Sequence, residues 1–210
     1  MIAIVDYGLG NLASITNTLD RLALPSIITS DKKIIAKSDS IILPGVGAAG
    51  AGMKNLKERG LDKILVDQIN KGKSTLGICL GMQLLFSFSE EGNVDCLGVI
   101  EGQVKKFGGK MKVPQIGWNQ IKCLNAECRM KDNNLFKNIK NNSYFYFVNS
   151  YYCVPEDTSV IVGTTDYGGE FCSLLVKDNI VNTQFHPEKS GKIGQQLLQY
   201  VFEHFNDIYH

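Results

Sequence analysis

Short, mostly apolar segments alternate with segments of helical periodicity through the first half of the chain, and this alternation limits the folds available to it. The apolar segments lie at residues 2–5, 25–29, 41–43 and 75–78. Between the first two, apolar side chains recur at helical spacing at Leu12, Ile15, Leu19 and Leu22. Asn11 is suited to cap that helix. Because strands without polar alternation must be covered on both faces, the pattern predicts an α/β fold with a mostly parallel central sheet flanked by helices.

The second half of the chain is richer in strands and turns. Strand-like runs lie at residues 103–107, 116–122, 144–148, 160–165, 172–176 and 180–185. They predict antiparallel strands added to the parallel sheet. Further helices are predicted within residues 50–72, from about Leu80, and at the end of the chain, where one face carries Ile193, Leu197, Val201 and Phe205. No repeat or linker interrupts the sequence, so a single domain of residues 1–210 is expected.

Charge and hydropathy limit the partners and the compartment. The formal net charge of +1 gives no electrostatic reason to expect binding to nucleic acid or to an anionic membrane. The first residues, Met1-Ile-Ala-Ile-Val-Asp6, lack the pattern of a secretory signal. No apolar run approaches the roughly 20 residues that span a bilayer. We therefore expect a cytoplasmic protein.

Six cysteines, at positions 79, 96, 123, 128, 153 and 172, form no C-x-x-C pair. The chain is long for a disulfide-stabilised secreted domain, and a zinc site usually needs paired ligands at short spacing. Most of the thiols other than Cys79 are therefore expected to be small buried hydrophobic groups. Nothing in the sequence indicates a metal or an organic cofactor.

The segment Gly77-Ile-Cys79-Leu-Gly81 has the form of a nucleophile elbow with cysteine as the nucleophile. It follows an apolar strand and precedes a predicted helix. Flanking glycines relieve clashes around a strained residue, and the helix N-terminus favours a thiolate. The alternative interpretation is a buried cysteine in an ordinary strand-to-helix turn.

A cysteine nucleophile needs a base, and the chain offers three histidines. His210 is the last residue, and His204 lies near the end of the last predicted helix. His186 directly follows an apolar strand, in Gln184-Phe-His-Pro-Glu188. Residues i and i+2 of an extended segment point to the same side, so Glu188 is predicted to orient the His186 ring. Taken alone, a strand-end histidine capped by a carboxylate is an equal alternative.

The loop Pro44-Gly-Val-Gly47 follows the third apolar strand. Glycine on both sides of Val46 lets a peptide unit turn its N–H outward, so Gly45, Val46 and Gly47 are candidates for the second donor of an oxyanion hole. A plain strand-to-helix turn is the alternative.

These motifs together resemble those of the class I, triad-type glutamine amidotransferases, and more narrowly the glutaminase subunits of imidazole glycerol phosphate synthases. The resemblance spans nearly the whole chain. It is carried by Asp6-Tyr-Gly-Leu-Gly-Asn11, Pro44-Gly-Val-Gly47, Gly77-Ile-Cys-Leu-Gly-Met-Gln-Leu-Leu85, Val113-Pro-Gln-Ile-Gly-Trp-Asn119, Tyr146-Phe-Val-Asn-Ser-Tyr-Tyr152 and Gln184-Phe-His-Pro-Glu-Lys-Ser190.

The resemblance implies a flavodoxin-like fold and a role for each matching residue. Cys79 would attack the glutamine carboxamide, His186 would transfer protons and Glu188 would orient His186. The N–H groups of Leu80 and of the 45–47 loop would stabilise the oxyanion. The glutamine substrate would be held by Gln83, Glu91, Ser150 and Tyr151.

The resemblance also implies a partner. In the family, a separate barrel-shaped cyclase forms a heterodimer with the glutaminase and receives its ammonia to make imidazole glycerol phosphate and AICAR in histidine biosynthesis. The nucleotide substrate of the cyclase switches on the glutaminase, and a turn of the 44–47 loop is one way to do so. Asn11 and Trp118 would be interface candidates, although a lone tryptophan on a strand is more often packed in a core.

Two positions depart from the family pattern, because Gln115 and Asn149 stand where histidine is usual. They leave open a paralogous glutaminase that feeds ammonia to a sugar amidotransferase for surface glycans. A non-catalytic interaction module and a cysteine hydrolase of peptides or esters are further alternatives. The intact set of Cys79, His186 and Glu188 speaks against the first of these, and Gln83 with the His-Pro-Glu spacing speaks against the second.

Overall fold

The computed structural model describes residues 1–109, 111–124, 129–130, 133–134 and 139–205. The expectations for Cys128 and His210 lie outside the described residues.

The strands are numbered in chain order. They are β1 (Ile2–Val5), β2 (Ser26–Thr29), β3 (Ser40–Leu43), β4 (Ser74–Ile78), β5 (Phe86–Ser89), β6 (Val94–Asp95), β7 (Ile100–Lys106), β8 (Gln115–Cys123), β9 (Arg129–Met130), β10 (Asn133–Asn134), β11 (Ser143–Asn149), β12 (Tyr151–Pro155), β13 (Ile161–Asp166), β14 (Glu170–Lys177) and β15 (Ile180–Thr183).

The α-helices are α1 (Leu12–Arg21), α2 (Lys32–Lys37), α3 (Ala49–Glu58), α4 (Leu61–Asn70), α5 (Leu80–Leu84) and α6 (Gly191–His204). Two 3₁₀ turns lie at Thr158–Val160 and Pro187–Lys189. As predicted, the Asn11 side chain caps α1 by accepting a hydrogen bond from the Ser14 N–H. None of the helices in the described part of the chain has the length and apolar character needed to cross a membrane.

The first half of the chain builds all but one strand of the parallel part of the sheet. The exception is β15, which was predicted among the added antiparallel strands but pairs parallel with β4. Strands β2, β1, β3, β4 and β15 lie side by side in that order and are all parallel. Every residue of β1 and β4 is buried. Helices cover both faces of this region, so neither face of these strands needs polar side chains. The carboxyl ends of parallel strands share one edge, so the segments that follow β1, β3, β4 and β15 meet there.

The second half adds mostly antiparallel strands to the same sheet. Strand β14 pairs antiparallel with β15, β13 and β12, and β8 pairs antiparallel with β11 and β13. In the described residues 13 strands join this sheet, and β9 with β10 forms a separate two-stranded ribbon. The predicted fold class, a mostly parallel α/β sheet with added antiparallel strands, is confirmed.

Several element boundaries differ from the sequence-based expectation. Strand β15 ends at Thr183 rather than at residue 185, and Leu22 is the C-cap of α1 rather than a helical residue. Helix α5 has only five residues, because the chain turns directly into β5. Helix α2 and strands β5, β6 and β12 were not predicted, since each is short and lacks a clear hydrophobic period. Cys153 and Cys172 are buried, whereas Cys96 and Cys123 are only half-buried.

Candidate active site

Cys79 occupies a sharp turn between β4 and α5. Its φ of 53° and ψ of −109° are rarely adopted by a residue with a side chain. The turn is held from β15, where the Thr183 carbonyl accepts the Cys79 N–H at 2.7 Å. The side chain is almost buried, at 6% exposure, and it lines the one edge of the sheet at which the parallel strands end. The predicted elbow is therefore present.

Both glycines of the elbow are required by close packing. A Cβ atom on Gly77 would overlap the Asn182 side-chain oxygen and lie 3.0 Å from Met82 Cα. A Cβ atom on Gly81 would overlap the Leu43 carbonyl oxygen and lie 2.6 Å from the Leu43 carbonyl carbon. The G-x-C-x-G pattern thus follows from the close packing of β4 against β15 and α5 at Gly77, and of α5 against β3 at Gly81.

His186 lies just beyond β15, and its ring is held by Glu188. The His186 Nδ1 and Glu188 Oε1 atoms are 2.8 Å apart, and both side chains are only 2% exposed. The extended geometry predicted for this contact is wrong, because Pro187–Lys189 form a 3₁₀ turn. Ser190 fixes the same turn, since its hydroxyl donates to the His186 carbonyl at 2.7 Å and accepts the Tyr146 N–H at 3.0 Å.

The surroundings of His186 favour its charged form. Burial opposes a charge on the ring, but the Cys79 sulfur and the Glu188 carboxylate outweigh it and raise the pKa of His186 to about 10. The other ring nitrogen, Nε2, is buried and has no hydrogen-bond partner among the described residues. Nδ1 is therefore tied to the carboxylate, while Nε2 has no competing hydrogen bond among the described residues.

The loop between β3 and α3 is fixed at both ends. At its start, the buried Tyr7 hydroxyl donates to the Pro44 carbonyl at 2.7 Å. At its end, Glu91 Oε2 accepts the N–H of Ala49, the first residue of α3, at 2.8 Å. Burial raises the pKa of Glu91, while the Ala49 N–H acts in the opposite direction. Between these fixed points Val46 is exposed and Gly47 has a φ of 111°.

The predicted oxyanion donor Leu80 is engaged within the protein. Its N–H donates to the Gly45 carbonyl at 3.4 Å. Gly45 is packed so closely that a Cβ atom there would lie 2.7 Å from Leu80 Cβ. A substrate oxyanion can use the Leu80 N–H only when the Gly45 carbonyl has moved away.

A cavity of about 290 Å³ opens onto Cys79. Its lining includes Cys79, every predicted substrate-binding residue and most of the predicted oxyanion residues, namely Val46, Gly47, Leu80, Gln83, Glu91, Ser150 and Tyr151. Pro114, Val148 and Asn149 complete it. His186 and Glu188 are not part of the lining. A cavity of this volume suits a small molecule.

Two contacts to the Cys79 sulfur were not predicted. Sγ lies 3.6 Å from the Val148 carbonyl oxygen, and the Gln184 side-chain nitrogen lies 3.7 Å from Sγ. Gln184 stands two residues before His186 in the motif already noted, but its contact depends on packing between β15 and α5 that no local pattern reveals.

The remaining predicted residues lie around the rim or away from the site. Trp118 is 55% exposed, so it is not a core residue, and its ring meets the Tyr146 ring edge-on at 6.0 Å. Asn11 is also exposed. Gln115 and Asn149 are cross-strand partners, both buried, and only Asn149 lines the cavity. Within the described ranges, no group of three or more His, Cys, Asp or Glu residues is placed to hold a metal ion.

The chain is similar to known proteins along almost its whole length. A family model described as glutamine amidotransferase class-I matches residues 3–205. Imidazole glycerol phosphate synthase subunit HisH of Dehalococcoides mccartyi strain CBDB1 is 44% identical over 204 residues, which cover 97% of each chain. Subunit HisH 2 of Methanococcus maripaludis is 47% identical over 202 residues, 95% of this chain and 97% of the relative.

Solved structures share the fold at low sequence identity. A glutamine amidotransferase crystal structure superimposes with a TM-score of 0.75 at 17% identity, over 98% of this chain and all of that chain. PurLQS from Thermotoga maritima superimposes with a TM-score of 0.72 at 18% identity, over 97% of each chain.

Proposed function

Because the chain belongs to the class I glutamine amidotransferase family, we propose that it is the glutaminase subunit of an imidazole glycerol phosphate synthase. It hydrolyses L-glutamine to glutamate and ammonia, and the ammonia is passed to a cyclase subunit in histidine biosynthesis. The observation that carries the chemistry is the buried pair of His186 and Glu188 close enough to Cys79 for its sulfur to raise the pKa of His186, with Cys79 itself lining a cavity of about 290 Å³. The similarity to HisH subunits, which extends over nearly the whole chain, supports the pathway.

The reaction begins with the Cys79 thiolate and the His186 imidazolium. The sulfur lone pair forms a C–S bond to the carboxamide carbon, and the carbonyl π electrons move to oxygen. As the C–N bond breaks, His186 gives its proton to the departing ammonia. Glu188 keeps the ring in position by holding Nδ1 at 2.8 Å. Water, deprotonated by the now neutral His186, then attacks the thioester, and glutamate leaves as the thiolate and the imidazolium are restored.

The oxyanion is stabilised by the Leu80 N–H and by an N–H of the 45–47 loop. The Leu80 N–H is released when the Gly45 carbonyl, which accepts it at 3.4 Å, turns away. Gly47 already has the left-handed φ that lets such a loop change its peptide orientation at low cost. This rearrangement gives the partner a means of controlling the rate.

The substrate is held by the side chains around the cavity. Glu91 offers a carboxylate for the α-ammonium group of glutamine, and Gln83, Ser150 and Tyr151 offer further polar contacts. No metal or organic cofactor takes part in the proposed reaction. The whole of residues 1–210 serves as one amidotransferase domain in the cytoplasm, and neither nucleic acid nor a membrane is a partner.

The partner docks on an exposed face of strands β8 and β11. Ile116, Trp118 and Tyr144 are 65%, 55% and 54% exposed on this face, although all are large apolar or aromatic groups. Val148 and Asn149, at the end of β11, belong to the cavity, so the face adjoins the site where ammonia forms. We assign it to a barrel-type cyclase subunit in a heterodimer, with exposed Asn11 as a second contact.

The test is glutamate release from glutamine by the purified chain. It is measured for the chain alone, and then with the cyclase subunit and its phosphoribosyl nucleotide substrate, with Cys79→Ala as the control. We expect strong stimulation that the Cys79→Ala chain lacks. If the cyclase does not stimulate a chain whose Cys79 still reacts with a glutamine-like electrophile, the histidine-pathway assignment is wrong. A sugar amidotransferase then becomes the partner to test.

A further inference from the structure

A buried row of side-chain amides leads from strand β12 to the nucleophile. The Gln83 Nε2 atom lies 3.2 Å from the Tyr151 carbonyl oxygen and 3.0 Å from Gln184 Oε1. The Gln184 Nε2 atom in turn lies 3.7 Å from Cys79 Sγ. Gln184 is fully buried and Gln83 is 5% exposed, so the contact between the two amides is shielded from bulk water.

The order of the contacts fixes which end of each amide faces the sulfur. A backbone carbonyl such as that of Tyr151 can only accept a hydrogen bond, so Gln83 must present its NH₂ group to it. The same NH₂ group reaches Gln184, which must therefore accept with its carbonyl oxygen. The NH₂ group of Gln184 is consequently turned toward Cys79. Turning both amides over would set the Gln83 amide oxygen against the Tyr151 carbonyl oxygen, and turning Gln184 alone would set two NH₂ groups against each other.

The two groups that touch the sulfur respond in opposite ways to its ionisation. The Val148 carbonyl, 3.6 Å from Sγ, can accept a hydrogen bond only while the thiol keeps its proton. The Gln184 N–H donates best to the thiolate, because hydrogen bonds to charged groups are the stronger ones. Helix α5 has only five residues, so its dipole does less for the thiolate than a long helix would.

We propose that Gln184 is a catalytic residue that donates a side-chain N–H to the Cys79 thiolate, and that Gln83 positions it for this role. The proposal rests on the glutaminase chemistry proposed above. Gln184 stabilises the thiolate before it attacks the carboxamide. It does so again when the sulfur leaves the thioester with the C–S bond electrons. Gln83 therefore serves the nucleophile through its nitrogen, in addition to lining the cavity.

The experiment measures the rate of alkylation of Cys79 by iodoacetamide as a function of pH, in the full chain, with the Cys79 peptide followed by mass spectrometry. In Gln184→Met the side chain keeps its size but loses the donor. A hydrogen bond to a charged group corresponds to roughly a tenfold effect or more, so we expect alkylation below the midpoint to slow about tenfold. The midpoint should move up by about one pH unit. Gln68→Met is the matched control, since Gln68 is a buried glutamine on α4 whose amide bonds Asp67, and it should behave as wild type.

A second variant separates donation from packing. Gln184→Asn keeps the amide but shortens the side chain by one methylene, so it leaves a gap that Gln184→Met does not leave. If Gln184 only fills space, Gln184→Met will alkylate like wild type and only Gln184→Asn will differ. If Gln184 is a donor, the midpoint of Gln184→Met will rise. If Gln184→Met does not fold, Gln184→Leu takes its place.

An unchanged alkylation midpoint in folded Gln184→Met, or in the Gln184→Leu chain that takes its place, overturns the inference. The readout does not require turnover of glutamine, so it is independent of the proposed function. A wild-type chain that released no glutamate with either the cyclase subunit or a sugar amidotransferase, but whose midpoint still depended on Gln184, would refute the glutaminase assignment and leave the sulfur contact established.

Discussion

A methyl group at Gly81 should disable the active site while leaving the fold in place. The added Cβ would overlap the Leu43 carbonyl oxygen and lie 2.6 Å from the Leu43 carbonyl carbon. Real Cβ contacts essentially never fall below 3.0 Å, so the carbon must retreat by at least 0.4 Å and the oxygen by more. Leu43 ends β3 and directly precedes the 44–47 loop, so the retreat separates that loop from the Cys79 turn.

The size of the effect follows from this displacement. A misplacement on the order of 1 Å costs about 10²-fold in rate, and overpacking costs about 1–3 kcal/mol of stability. For Gly81→Ala we expect kcat/KM for glutamine, measured as glutamate release in the stimulated complex, to fall about 100-fold. A urea titration should show a loss of stability in the same range of about 1–3 kcal/mol.

Gly108→Ala is the matched control for this substitution. Gly108 has no atom within 4 Å of the position that a methyl group would take, and it has no left-handed φ, so the alanine should be accommodated freely. We expect both its kcat/KM and its unfolding midpoint to equal those of wild type. Wild-type kcat/KM in a folded Gly81→Ala chain would refute the reasoning, because the elbow would then tolerate a side chain where none fits.

Two further predictions concern the base and the docking face. Glu188→Gln removes one of the groups that raise the pKa of His186, so that pKa should fall below its value of about 10. Since the imidazolium is lost as pH rises through this pKa, the upper limb of the kcat/KM profile should move to lower pH, and an unmoved limb would contradict the assignment of Glu188. Trp118→Ala should weaken binding of the cyclase by about 2 kcal/mol, or roughly 30-fold, measured by titration calorimetry. Ile28→Ala removes another exposed apolar side chain, on β2, and should not weaken binding of the cyclase. Equal affinities of the two variants for the cyclase would exclude Trp118 from the interface.

The local parts of the site were predictable from sequence because each is encoded within a few residues. The glycines on both sides of Cys79 indicate a turn in which a Cβ atom at either position would overlap its neighbours. The apolar strand before them places this turn at the end of a sheet strand. Elimination among three histidines, together with the apolar strand that directly precedes it, singled out His186. The contact between Glu188 and the His186 ring was predicted correctly, although the predicted extended geometry was wrong. The 3₁₀ turn at Pro187–Lys189 brings the carboxylate to the ring just as an extended segment would.

The parts that sequence could not supply depend on contacts between distant segments. The Gln184 amide reaches Cys79 across 105 positions, and its orientation is set by a third residue, Gln83, on another element. Tyr7 holds the Pro44 carbonyl from 37 positions away. Such contacts have no local period or spacing. They follow from which strands become neighbours and from how side chains pack between them.

Strand β11 links the docking face to both members of the catalytic pair. The Tyr146 carbonyl accepts the His186 N–H at 2.9 Å, and the Val148 carbonyl lies 3.6 Å from the Cys79 sulfur. The Tyr146 ring, in turn, packs edge-on against Trp118 on the exposed face. A partner that shifts β11 on docking therefore changes the position of the base and the surroundings of the nucleophile together. Such a shift can also withdraw the Val148 carbonyl, which disfavours the thiolate. It need not move Gln184, because Gln184 follows β15 and not β11. On this argument, docking of the partner alone should raise the alkylation rate of Cys79, and Trp118→Ala should abolish that increase.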